Sequence, residues 1–88
     1  MVEFKDISFI TRGKRRKEVF FSLEDKPKTI TTIKKELKKS ISNISFCIKE
    51  LEKKNYIVSK NPEDYHYKYY EITEFGKKVL EEIEKLEE

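Results

Sequence analysis

The side chains that could act as nucleophiles, general bases or metal ligands are too few to act together in this chain. Among 88 residues there is one histidine, His66, and one cysteine, Cys47. Neither a second imidazole nor a second thiol is at hand to complete a metal site or a Cys–His pair. The two glycines, Gly13 and Gly76, stand far apart and build no phosphate-cradling loop. Glutamates alternate with lysines along helical stretches and read as solvated ion pairs. No enzymatic activity, cofactor or metal is therefore expected. What remains is the chemistry of cations. The net charge is +3, but from residue 74 onward three lysines face six glutamates, a balance of −3, which leaves 17 bases against 11 acids, or +6, in residues 1–73. A basic body suits a polyanion, and an acidic tail has some other use.

The basic residues are arranged around one unusual helix. In "KKSISNISFCIKELEKKNYI", residues 38–57, the side chains of Ile44, Cys47, Ile48 and Leu51 share an arc of about 100°, the stripe that a buried helix face requires. Phe46 falls on the opposite side with Ser42, Lys49 and Lys53. A large apolar ring on the outer face of a regular helix needs a partner, because it is costly to leave in water.

The elements that position this helix can be read from periodicity and caps. Asp6 is a plausible N-cap for a first helix running to about Glu24, with "RGKRRK" (12–17) in its middle and a break possible at Gly13. "DKPK" (25–28) is a turn, "TI" (29–30) a short strand and 31–39 a second helix with Ile33 and Leu37 facing inward. Ser40 caps the next helix, 40–54, and Asn55 suits the left-handed conformation that ends it. Strands near 56–60 and 67–73 flank the turn cluster "NPED", and Thr73 caps a last helix, 74–87. Residues 1–88 read as one domain, α+β but mostly α. The layout is a winged helix-turn-helix: a three-helix core, a short strand plus a β-hairpin wing, and a C-terminal helix.

Nothing in this layout points to a membrane. No stretch approaches the roughly 20 apolar residues of a bilayer span, and "MVEFKDISF" does not read as a signal peptide. A lone cysteine excludes an internal disulfide and fits a reducing cytoplasm, the expected location.

Three stretches carry a resemblance. "DISFITRGKRRKEVFFSLEDKPKTI", "IKKELKKSISNISFCIKELEKKNYI" and "YYEITEFGKKVLEEI" resemble, in order, the first helix and Pro-containing turn, the helix-turn-recognition helix, and the closing strand and helix of archaeal-type winged-helix transcriptional regulators related to the MarR and ArsR groups. The recognition run of such proteins is typically V-S-x-x-L-K-E-L-E-E-K-G-L. The resemblance spans about residues 6–86. It implies that the 40–54 helix enters the major groove of double-stranded DNA, with Ile41, Ser42, Asn43, Ser45 and Phe46 near the bases and Lys49 and Lys53 near phosphates. Asn43 could bond adenine through both atoms of its amide, and Phe46 could pack on thymine methyl groups. Lys38 and Lys39, with Lys34 and Lys35, would touch the backbone. In a wing at about 60–68, Lys60, His66 and Lys68 would reach the backbone or minor groove, as would Asn61. The resemblance further implies a homodimer through the last helix, at Val79, Ile83 and Leu86, presenting two recognition helices one helical turn apart.

Two positions depart from the family pattern. Position 46, often Arg, is Phe, and position 55, usually Gly, is Asn. Phe46 fits a thymine methyl, but it fits equally the wing, a second protomer or a protein partner. The alternative function is accordingly a winged-helix module for protein contact within transcription or replication machinery. "RGKRRK" is open in the same way, as a phosphate clamp, a partner surface or a solvated face.

Overall fold

The computed structural model of the chain describes residues 1–64 and 67–88. The element order is α1 (Phe4–Thr11), α2 (Lys14–Ser22), α3 (Ile30–Leu37), α4 (Ile41–Lys53), β1 (Ile57–Ser59), β2 (Tyr70–Ile72) and α5 (Glu74–Leu86). This is the expected winged helix, mostly helical with a two-stranded antiparallel hairpin.

The expected first helix is two helices. Gly13 is extended (φ −105°, ψ 105°) and serves as N-cap of α2, so the chain turns at the residue least suited to a helix interior. Asp6 does not cap α1. Glu3 holds that position, and Asp6 accepts its backbone N–H at 2.9 Å from within the first turn. The short strand at 29–30 is also absent. Thr29 instead caps α3, its hydroxyl accepting the Thr32 N–H at 3.2 Å. Sheet pairing falls one residue earlier, where Lys28 and Tyr70 exchange backbone bonds of 3.0 and 2.8 Å. The α3 helix stops at Leu37, two residues before the expected end, because Lys38 is left-handed (φ 56°, ψ 44°).

Both ends of α4 follow the sequence expectation. Ser40 accepts the Asn43 N–H through its hydroxyl at 3.2 Å. At the other end Asn55 sits at φ 65° and donates to Glu52, while Tyr56 donates to Leu51, the Schellman pattern that satisfies the final carbonyls.

The hairpin pairs Ile57 with Ile72, Val58 with Glu71 and Ser59 with Tyr70, and is shorter than the expected 56–60 and 67–73. Beyond Ser59 the Lys60 N–H donates to the Tyr69 carbonyl at 2.7 Å, and the Asn61 side chain then joins the two arms. The Asn61 amide donates to the Tyr67 carbonyl at 2.7 Å and accepts the Tyr69 N–H at 2.8 Å. Thr73 then caps α5, accepting the Gly76 N–H at 2.9 Å and donating to the Asn55 carbonyl at 2.7 Å. Gly76 is where α5 meets the base of the hairpin: a Cβ there would run into the Tyr56 carbonyl oxygen and stand 2.7 Å from Cγ2 of Ile72.

The core gathers Ile10, Val19, Phe20, Ile33, Ile44, Ile48, Leu51, Ile57, Val79 and Ile83 around Tyr56. The Tyr56 ring stacks on Phe75 at 5.6 Å and meets Phe9 and Phe20 at 6.1 and 6.2 Å. Its hydroxyl donates to the buried Asp6 carboxylate at 2.6 Å. That bond satisfies a carboxylate that burial alone would penalise.

Candidate nucleic-acid interface

With one face of α4 in the core, its remaining side chains sort into a ridge and two flanks. Ser42, Phe46, Lys49 and Lys53 form the ridge and are exposed, Phe46 at 64%. The ring therefore packs against nothing sufficient to cover it within the protomer.

One flank looks toward α2. Gly13, Lys14, Arg15 and Arg16 line a cleft with Asn43, Phe46, Cys47 and Glu50. Arg15 donates to the Asn43 side-chain oxygen at 3.4 Å. Arg16 is committed to the fold: it donates to the Phe9 carbonyl at 2.7 Å, meets both Glu50 oxygens at 3.2–3.3 Å, and lies 3.9 Å over the Phe9 ring. Lys17 pairs with Glu87. The "RGKRRK" run is thus divided, with Arg12, Lys14 and Arg15 exposed and the other two bases holding elements together. Cys47 is buried, and burial raises its thiol's pKa, so it is not an activated nucleophile.

The other flank looks toward the wing. Ile41 and Ser45 line a cleft with Thr29, Ile30, Thr31, Lys68 and Tyr70. The structure thereby joins the N-terminus of α3, the first turns of α4 and a wing lysine around one depression. Thr31, exposed there, was missed by sequence reasoning, since only packing brings it beside α4. Lys60 is exposed and lines a recess with Lys26, Pro27, Asn61 and Tyr69. His66 lies outside the described residues. Lys38 is exposed and Lys39 half-buried at the α3–α4 junction.

Most lysines of this face lack a carboxylate partner among the described residues, as do Lys54 and Lys78 outside it. Lys5, Lys17, Lys28, Lys77 and Lys85 pair with carboxylates. Among the described residues, Lys34, Lys35, Lys38, Lys39, Lys49, Lys53 and Lys60 have no such partner. Their charge is available to a polyanion.

The positions expected at a two-fold interface need correction. Val79 and Ile83 are fully buried in the protomer's own core, because the face of α5 that carries them covers α1 and the hairpin; only Leu86, 68% exposed, lies on the surface. Among the described residues no group of three or more His, Cys, Asp or Glu is placed to hold a metal ion, and no helix is long and apolar enough to cross a membrane.

Residues 4–87 match the sequence pattern of the family described as "Methanogenesis regulatory protein FilR1, N-terminal domain". Among curated proteins no sequence matches the chain. Solved structures share its fold. The adhesin competence repressor AdcR of Streptococcus pyogenes is 24% identical with a TM-score of 0.72, over 85% of this chain and 57% of that one. A MarR-like transcriptional regulator of Thermotoga maritima is 24% identical with a TM-score of 0.75, over 97% and 60%. The regulator YodB of B. subtilis, in its reduced form, is 20% identical with a TM-score of 0.79, over 99% and 89%. The chain thus spans a little over half the length of the first two.

Proposed function

The chain belongs to the family of FilR1 N-terminal domains, and on that premise we propose that residues 1–88 act as one winged-helix unit that binds double-stranded DNA in a transcriptional regulator. In this reading α4 enters the major groove. The ridge of Ser42, Phe46, Lys49 and Lys53 leads, and the wing-side cleft with Thr31, Ser45 and Lys68 receives the adjoining phosphate strand. Phe46 meets thymine methyl groups and favours A·T-rich sites. Lys38, Lys39, Lys49, Lys53 and Lys60 neutralise phosphates. The observation that supports the reading is the concentration of exposed lysines around α4: among the described residues Lys34, Lys35, Lys38, Lys49, Lys53 and Lys60 have no carboxylate partner. We further propose a homodimer, with Leu86 and the exposed Phe4 on its contact surface. Catalysis has no place in this reading.

Fluorescence anisotropy on random and A·T-rich duplexes, at several salt concentrations, tests it. The wild type should bind with a steep salt dependence. Lys49→Ala should weaken all duplexes alike and lower the salt slope by about 1. Phe46→Ala should erode the A·T preference while leaving the slope unchanged. An absence of duplex binding at low salt would sink the DNA reading and turn attention to Phe46 as a protein-docking residue.

A further inference from the structure

An unencumbered Asn43 amide would bond adenine through both its oxygen and its nitrogen. Its surroundings say otherwise. Arg15 Nη1 lies 3.4 Å from Asn43 Oδ1. A guanidinium carries donors only, so the amide atom facing it is necessarily the oxygen. The backbone that carries Arg15 is held in place. The adjacent Arg16 is fixed to the Phe9 carbonyl, the Phe9 ring and the Glu50 carboxylate, which pins the first turn of α2 against α4. The same cleft contains Phe46, so this contact borders the ridge proposed to meet the bases.

We infer that Arg15 is a positioning residue that sets which bases Asn43 reads, an inference resting on the DNA reading above. A bidentate contact to adenine needs the amide oxygen on N6–H and the amide nitrogen on N7 at once. With its oxygen turned to α2, Asn43 presents only its NH2 group to the groove. A lone donor bonds N7 of adenine and N7 of guanine equally, so the protein as built reads purine at this base pair. In water the exposed Arg15–Asn43 bond contributes little; once DNA excludes solvent it gains strength.

The test is retention of a randomised duplex pool followed by sequencing, for the full chain and its Arg15→Ala, Arg15→Lys and Arg15→Ala/Asn43→Ala forms. At the base pair contacted by Asn43 the wild type should retain adenine and guanine within about twofold of each other. Arg15→Ala frees the amide and should favour adenine over guanine by about tenfold, the discrimination of one bidentate pair. Arg15→Lys keeps a donor and should keep the wild-type pattern, and the double variant should lose preference there. The inference is overturned if Arg15→Ala lowers retention of every sequence alike with the preferences unmoved, for Arg15 is then only a phosphate contact. It is overturned equally if the double variant shows the same shift as Arg15→Ala, because Asn43 is then not the reader. A wild type that retains no DNA is a different result and brings down the underlying reading itself.

Discussion

Tyr56 shows how much one side chain can join. Its hydroxyl reaches across 50 residues of sequence to Asp6, and that carboxylate also secures the start of α1. Burial, and after it the Asp6 acceptor, holds the Tyr56 phenol above its ordinary value of about 10. A group whose pKa is raised on folding stabilises the native state fully below the unfolded value and ceases to do so as pH climbs toward the folded one. The protein should accordingly lose stability above about pH 10. Tyr70, also pushed up by burial, acts in the same direction. Tyr56→Phe should cost about 1.5–3 kcal/mol at neutral pH, because it strips a donor from a buried carboxylate. It should also flatten the alkaline decline, which urea denaturation at pH 7 through 11 would reveal. An unchanged alkaline profile would assign the decline elsewhere. No local signal exposes this bond: Asp6 followed by an amphipathic stretch reads as a cap, and its true partner is fixed only by tertiary packing.

At the level of elements, legibility follows the range of the interaction that sets each boundary. The α4 limits are local, decided by Ser40 and Asn55, and are readable from sequence. The division of α1 from α2 is half-readable, since Gly13 weakens a helix without dictating that it breaks. The hairpin's length is not readable at all, because beyond the Lys60–Tyr69 backbone bond the Asn61 side chain takes over the pairing. Gly76 belongs to the same class: its necessity comes from the Tyr56 carbonyl, twenty residues earlier in the chain. Gly76→Ala should destabilise at or beyond the upper end of the about 1–3 kcal/mol typical of overpacking, since the obstacle is backbone. Thermal denaturation would show it. A negligible loss would mean that α5 can slide from β1 without penalty, contrary to the packing seen.

For the molecule as a whole, amphipathicity specifies how many apolar residues a helix carries, not which of them remain outside. α5 has apolar positions to spare, and their division into core and surface awaits the neighbours. Val79 and Ile83 went inside, so removing them should act on folding: Ile83→Ala should cost about 2–5 kcal/mol. Leu86→Lys should leave the unfolding midpoint nearly unchanged while shifting a dimer toward monomer in sedimentation experiments. A wild type that sediments as a monomer at every concentration would remove the two-fold proposal and leave α4 to read a single half-site.

The left-handed turn at Lys38 has one further consequence. A non-glycine residue in that conformation costs roughly 1–2 kcal/mol, which glycine would not incur. Lysine nonetheless stands there, exposed, without a carboxylate partner among the described residues, and two residues before the Ser40 cap of α4. If the proposed DNA contact holds, heat tolerance and polyanion affinity favour different residues at position 38, and the junction between α3 and α4 is where selection on this domain has a compromise to strike.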